Sequence, residues 1–351
     1  MIIIMEPHAS DEQINKVVNR VQELGLKAIL NKGEIQTVVA VIGDETSKVP
    51  STDVFDELSG VFRTERVQVP FRLASRTFKK EDSVYEIIPG VKIGGNEDLL
   101  VMAGPCSVES EEGIMQTAHA AKAGGAKVLR GGAYKPRTAP RTFEGLGELG
   151  LKLLKQASKE TGLAVVTEIM DIRDLDLVCE AADIIQVGAR NMQNFSMLNE
   201  LGKSKKPILL KRGMSSTIDE WLLAAERIIH HGNERVILCE RGIRSFDSKY
   251  TRNVLDLAAI PVIKQLSHLP IISDPSHGTG KTAYVKSMTL ASVATGADGL
   301  IIEIHPDPEN ALSDGPQSLK FHQFYDLMEE VKQVRSLVKP MYSPKKSPAG
   351  V

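Results

Sequence analysis

Cysteine is scarce in this chain of 351 residues. The three thiols, Cys106, Cys179 and Cys239, are odd in number and show no Cys-x-x-Cys spacing. That excludes a disulfide framework and points to reduced thiols in a cytoplasm. Long apolar runs are missing as well: no stretch approaches the roughly 20 residues that cross a bilayer, so no membrane span is expected. The apolar start, residues 1–5, soon meets Glu6 and Pro7 and has no basic region before it, which is not a signal-peptide pattern. Neither sign of charge dominates. Lys and Arg number 43 against 45 Asp and Glu, a net charge of -2, so bulk attraction to nucleic acid or to a membrane surface is not expected. Any basic cluster must then be local.

What is present is a soluble globular composition and a length that suggests two folded units. Residues 1–69 read as βαββαβ. A strand at 1–5 precedes a helix that Ser10 and Gln13 open as a capping box, with Ile14, Val17, Val18, Val21 and Leu24 on one stripe. A hairpin at 27–30 and 37–42 turns around Lys32-Gly33. Ser51 or Thr52 caps a short helix to Leu58, and residues 61–69 alternate as a last strand. This order is the α+β ferredoxin-like pattern of many small-ligand regulatory modules. Residues 70–98 read as a linker and a barrel-capping hairpin that turns at Pro89-Gly90. Residues 339–351, rich in Pro, Ser and Lys, read as a disordered tail.

From residue 99 to 338 short apolar runs alternate with amphipathic helices. The runs lie at 99–103, 126–129, 164–166, 183–187, 207–210, 235–238, 270–272 and 299–302. Helical patterns at 145–161, 217–231, 283–295 and 319–338 fall between or after them. Such alternation predicts an α/β fold with a parallel sheet buried on both faces. Eight units fit a (β/α)8 TIM barrel; the alternative is an open doubly wound sheet.

In a barrel the chemistry gathers where the strands end. The eight ends supply Cys106, then Arg130 with Lys135 and Arg137, then Glu168, Arg190, Lys211 with Arg212, Glu240 with Arg241, Asp274 with His277, and Glu303 with His305. Every strand ends in an ionisable group. The cations require anions in a confined mouth, and two phosphorylated or carboxylated substrates would balance them. Cys106, His277 and Glu303, with Asp314 in the last loop, form a thiol, imidazole and carboxylate set suited to one divalent transition metal ion: Mn, Fe, Co, Zn or Cu. Singly, each has an ordinary structural reading as a core thiol or a turn residue. Cys179 and Cys239 lack such company and read as packing residues. Gly280-Lys281-Thr282 imitates the end of a P-loop, but Pro275 stands where its first glycine belongs. His230-His231 closes a helix and reads as a cap.

These residues sit in specific motifs: AGPCSVE at 103–109, LRGGAYKPRT at 129–138, QVGARNMQN at 186–194, LLKRG at 209–213, CERG at 239–242, DPSH at 274–277 and EIHPDPENALSDG at 303–315. On them the chain resembles the 3-deoxy-D-arabino-heptulosonate 7-phosphate (DAHP) synthases, in the type I-beta form with a ferredoxin-like N-terminal domain. The resemblance implies condensation of phosphoenolpyruvate with D-erythrose 4-phosphate and water, giving DAHP and phosphate, the first step of the shikimate pathway. It places the metal on Cys106, His277, Glu303 and Asp314. It places phosphoenolpyruvate on Arg130, Lys135, Arg190, Lys211 and Arg241, with Glu168 nearby, and erythrose 4-phosphate on Arg137 and Thr138. Lys135 is the first candidate for proton transfer, with a pure phosphate clamp as its other role, while Cys106 and His277 serve catalysis through the metal. The resemblance further implies feedback by tyrosine or phenylalanine through residues 1–69, and a homotetramer.

Three rivals remain at this point. The octulosonate-forming relatives carry a KANRS-like stretch where this chain has KPRT. A Schiff-base aldolase would use Lys211 as nucleophile. A silent barrel would keep the fold for binding alone.

Overall fold

The computed structural model describes residues 1–33, 36–43, 48–49, 51–65, 69–135 and 141–342. It forms two compact units: Met1–Asp82 with Leu266–His268, and Ser83–Gln265 with the chain from Leu269 onward.

In the first unit, Ile2–Met5 (β1), Asp11–Glu23 (α1), Lys27–Lys32 (β2), Thr37–Ile42 (β3), Asp53–Asp56 (α2) and Val61–Glu65 (β4) appear in the expected βαββαβ order. The sheet order is β2-β3-β1-β4, antiparallel throughout. The Ser10–Gln13 capping box forms, and Ile14, Val17 and Val21 of α1 bury against Met1, Ile3 and Met5. Because strand side chains alternate, Ile2 and Ile4 face the opposite side of the sheet, yet they too are buried. The segment after β4 packs into this unit: Phe71, Leu73 and Phe78 are buried, Asn31 Nδ2 donates to Phe78 O at 3.0 Å and Arg72 Nη1 donates to Val41 O at 3.3 Å. The unit boundary therefore falls at Asp82/Ser83, inside the stretch read from sequence as linker. Helix α2 is one turn, shorter than expected; Ser51 Oγ accepts from Asp53 N, and Thr52 makes no side-chain cap. Strand β4 stops at Glu65, and residues 66–68 of the expected strand lie outside the described residues.

The second unit is a closed barrel of eight parallel strands: Leu100–Gly104 (β7), Val128–Arg130 (β8), Ala164–Ile169 (β9), Ile184–Val187 (β10), Ile208–Lys211 (β11), Val236–Glu240 (β12), Ile271–Ser273 (β13) and Gly299–Glu303 (β14). Each falls on a predicted apolar run. Pairing of Leu300 with Val101 and of Ile302 with Ala103 closes β14 onto β7, which rules out the open sheet. The hairpin Tyr85–Ile88 (β5) and Val91–Ile93 (β6) plugs the starting end of the barrel, where Tyr85 and Ile93 pack with Leu100, Val128 and Ile184. With that end filled by apolar side chains, polar chemistry is left to the other. Cys239 lies in this core, as its packing role requires.

The helices outside the strands include Glu111–Ala123 (α3), Glu148–Thr161 (α4), Leu175–Ala181 (α5), Phe195–Leu201 (α6), Ile218–His230 (α7), Ala259–Leu266 (α8), Pro275–Thr279 (α9), Thr282–Ala294 (α10) and Phe321–Tyr342 (α11). Helix α7 ends at the histidine pair as read, and His231 Nδ1 meets Arg227 O at 2.8 Å. Gly280 is the left-handed cap of α9, a structural reason for the false P-loop. Helix α11 corrects the expected tail: it runs to Tyr342, and Lys339 Nζ bonds Asp98 Oδ1 at 2.8 Å. Residues 343–351 lie outside the described residues. Among the described residues no helix is long and apolar enough to cross a membrane.

His268, in the first unit, is buried and its Nε2 donates to Leu73 O at 2.8 Å. Burial pushes its pKa down to about 4, outweighing that bond. Between roughly pH 6.5 and 4 the unfolded chain binds a proton that the folded one excludes. Stability is then complete above pH 6.5 and falls toward pH 4, by up to about 3 kcal/mol. Denaturant midpoints taken across this range should drop for the native chain and drop distinctly less for His268→Gln.

Candidate active site

Two close backbone approaches shape the barrel mouth. Gly104 ends β7 against β8, and a Cβ there would stand 1.9 Å from Arg130 O. Gly132 N donates to Cys106 O at 3.1 Å, tying the first strand's loop to the second. Lys135, four residues past Gly131, then places its Nζ 3.0 Å from Cys106 O and 2.9 Å from Cys106 Sγ.

Around that thiol the structure assembles the expected four donors. The ligand atoms of Cys106, His277, Glu303 and Asp314 all lie within 4.8 Å of one another. Asp314 Oδ2 is 3.2 Å from Cys106 Sγ and 3.8 Å from His277 Nε2, while Glu303 Oε1 is 3.4 Å from the same nitrogen. The sources are separate: a loop after β7, the short helix α9, the end of β14 and the loop beyond it. Asp274 caps α9, accepting from His277 N at 3.0 Å through Oδ1. Its Oδ2 lies 2.8 Å from His277 Nδ1, at ion-pair distance but outside hydrogen-bond geometry. The ring is thereby turned with Nε2 toward the cluster, the arrangement of a carboxylate behind a metal-ligating histidine. Asp314 is held at φ 53°, a left-handed conformation that a non-glycine residue adopts at a cost of order 1–3 kcal/mol. Glu109 secures that loop, accepting from Leu312 N at 2.9 Å and standing 3.4 Å from His305 Nε2. His305 therefore serves the loop rather than the cluster.

The electrostatics suit a cation among these donors. Burial, aided by Glu303, pushes the Cys106 thiol up to about 12. Burial also lowers His277, despite Asp274 beside it, which favours the neutral imidazole a metal requires. Burial opposes ionisation of Asp314, but His277 and Arg252 outweigh it and hold the carboxyl at about 2. Glu303 is likewise lowered, as His277 and Arg130 overcome its burial. A thiol, a neutral imidazole and two carboxylates converging in a buried pocket fit a divalent transition ion, whose charge would also draw the thiol into its thiolate form.

Beside the cluster opens a cleft of about 110 Å³ lined by Lys135, Arg190, Lys211, Arg241 and Arg252, with Glu168, His277 and Asp314. Lys211 Nζ donates to Asp274 Oδ2 at 2.6 Å. Glu168 accepts from Gln186 Nε2 at 3.0 Å, and Gly188 gives it room: a Cβ at 188 would stand 2.0 Å from Glu168 Oε1.

The predicted residues divide as follows. Lys135, Glu168, Arg190, Lys211 and Arg241 share the cleft with His277 and Asp314. Arg130 stands to one side, buried and hydrogen-bonded to Glu303, bordering a small adjoining void with Lys135 and Glu168. Arg137 and Thr138 lie outside the described residues. Arg212, read as a mouth cation, turns away to Glu240 at 2.9 Å and Asp256 at 2.8 Å and stacks over Trp221, because two carboxylates compete for it there. Arg252 was not expected. Its Nη1 reaches Asp314 Oδ1 at 3.3 Å from a loop with no motif around it, so pattern offered no signal. Asp274 had one, the DPSH motif, yet its link between Lys211 and His277 required coordinates.

The mouth of this parallel barrel thus joins a four-donor cluster to a cation-lined cleft. The DAHP synthetase I family matches residues 72–340, and the DAHP synthase ferredoxin-like domain matches residues 1–69. The chain belongs to the DAHP synthetase I family. Among its relatives, the phospho-2-dehydro-3-deoxyheptonate aldolase of Thermotoga maritima is 49% identical over 334 residues, covering 95% of this chain and 97% of that protein. A crystal structure of the Thermotoga maritima enzyme, described as a DAHP synthase, superposes with a TM-score of 0.76 at 48% identity, covering 96% and 98% of the two chains. The 2-dehydro-3-deoxyphosphooctonate aldolase of Geobacter sulfurreducens is 30% identical over 270 residues, or 72% of this chain and 98% of that one.

The two tight glycines should respond differently. At Gly104 an added methyl meets a backbone carbonyl, and Gly104→Ala should cost about 3 kcal/mol or more. At Gly188 it meets the tip of a flexible side chain, and Gly188→Ala should stay within about 1 kcal/mol of the native chain. Chemical denaturation of the two variants measures both.

Proposed function

We propose that this chain is a DAHP synthase, condensing phosphoenolpyruvate with erythrose 4-phosphate and water to release phosphate, the first step of the shikimate pathway. The observation that carries this reading is the adjacency of the four-donor cluster and the cation-lined cleft on one face of the barrel. Cys106, His277, Glu303 and Asp314 would hold one divalent transition ion. When bound, that ion supplies a Lewis acid to polarise or orient the aldehyde of the sugar phosphate.

The chain's own groups do the rest. Lys135, Arg190, Lys211 and Arg241 clamp the phosphate and carboxylate of phosphoenolpyruvate, with Arg130 behind them. Arg137 and Thr138 are proposed to take the sugar phosphate. Holding both anions in attack geometry offsets much of the entropy of bringing two substrates together, up to roughly 7–11 kcal/mol in favourable cases. Lys135, whose Nζ meets Cys106 of the cluster and whose side chain lines the cleft, would give a proton to the aldehyde oxygen as C3 of phosphoenolpyruvate bonds to the aldehyde carbon. Glu168, which lines the same cleft, would orient the water that adds at C2 before phosphate departs by C–O cleavage.

The octulosonate reading has specific support in the Geobacter relative. KPRT argues against it. The Schiff-base reading is weakened because Lys211 Nζ is engaged by Asp274 rather than presented as a free amine. We also propose a cytoplasmic homotetramer that tyrosine or phenylalanine inhibits through residues 1–69, supported by the match to the ferredoxin-like domain of this family.

Phosphate release from phosphoenolpyruvate should be strong with erythrose 4-phosphate and weak with arabinose 5-phosphate. Preference for the pentose would overturn the assignment. EDTA should abolish release and added Mn²⁺ or Zn²⁺ restore it, while tyrosine or phenylalanine should lower it. In the same assay Gly188→Ala should lose about 10- to 100-fold, because the carboxylate of Glu168 is displaced in a fold that survives.

A further inference from the structure

Gln317 is buried, 2% exposed, in a single turn of 3-10 helix (Gly315–Gln317) directly after Asp314. Nothing in its sequence context marks it. Its amide nevertheless touches one carboxylate of the cluster and, through Arg252, is linked to the other. Nε2 donates to Glu303 Oε2 at 2.6 Å, and Oε1 accepts from Arg252 Nη1 at 3.1 Å, the nitrogen that also donates to Asp314 Oδ1 at 3.3 Å. The amide orientation is forced, since a carboxylate needs a donor and a guanidinium needs an acceptor.

The consequence lies in which oxygens are taken. Glu303 Oε2 and Asp314 Oδ1 are bound by this Gln317–Arg252 pair. Glu303 Oε1, which also accepts from Arg130 Nη1 and keeps a second lone pair, and Asp314 Oδ2 are the oxygens that face His277 Nε2 and Cys106 Sγ. An unrestrained carboxylate can give both oxygens to a cation, whereas one with an oxygen already engaged gives one. Gln317 does this without adding charge, and Arg252 offsets that of Asp314.

We propose that Gln317 is a positioning residue which, with Arg252, keeps Glu303 and Asp314 as single-oxygen ligands, limiting the centre to four protein donors and leaving room for a substrate oxygen. This rests on the reading of Cys106, His277, Glu303 and Asp314 as the metal centre, and its test separates the two.

The test uses the full chain stripped of metal and titrated with Co²⁺ against a chromophoric chelator, with the visible spectrum of the Co²⁺ form recorded. Gln317→Leu should weaken Co²⁺ binding by about 10- to 100-fold. Its ligand-field bands should also lose intensity, as Glu303 binds through both oxygens and the coordination number rises. Arg252→Met, at a half-exposed side chain, should shift both readouts the same way and by less; it serves if Gln317→Leu does not fold. Native affinity and spectrum in the folded variants would overturn the proposal, as would weaker binding with an unchanged spectrum. Failure of the native chain to bind Co²⁺ would overturn the metal centre itself, and this role with it.

Discussion

The pairing of β14 with β7 is the contact on which the site depends. Cys106 follows the first barrel strand and Glu303 ends the last, some two hundred residues on, and only closure brings them side by side. Closure also fixes the direction of every strand end. The start of the barrel is filled with apolar side chains and plugged by the hairpin, so the charged ends share one mouth. A sheet left open at that seam would hold the same residues at opposite edges.

That mouth gathers charges that water would otherwise solvate. Arg130, Lys211, Arg212, Glu240, Asp274 and Glu303 are each 5% exposed or less. Burying one such charge alone costs several kcal/mol, and even paired burial is weak support for stability. Each is accordingly paired: Arg130 with Glu303, Lys211 with Asp274, Arg212 with Glu240. Their presence fits the proposed function: a preorganised field of cations would hold phosphorylated anions, and a buried donor set a metal, without reorganisation at the moment of reaction. Asp274 links the two, with one oxygen near both Lys211 Nζ and His277 Nδ1.

Much of this was legible before any coordinates. Apolar runs and helical stripes located all eight strands, because a parallel strand buried on both faces must be apolar throughout. The rule that chemistry follows strand ends then gathered Cys106, Lys135, Glu168, Arg190, Lys211, Arg241, His277 and Glu303 around one mouth. The pattern was less informative where structure departs from periodicity. Helix α11 continues through a Pro- and Lys-containing stretch that read as tail, and residues 70–82 pack with the first unit although they read as linker.

The sequence by itself determined the βαββαβ unit, the eightfold alternation and the motifs that place donors and cations in the chain, since these depend on local periodicity and on residue chemistry. The tertiary structure alone decided which charges face the cleft and which are spent elsewhere. Arg212 and Arg241 follow adjacent strands yet differ in role: the first is held by Glu240 and Asp256, the second lines the cleft. Arg252 reaches the cluster from a loop, and Gln317 from a single turn of 3-10 helix, that no pattern marks. A side chain's partner is set by what the fold brings within about 3 Å of it, and separation along the chain carries no record of that distance.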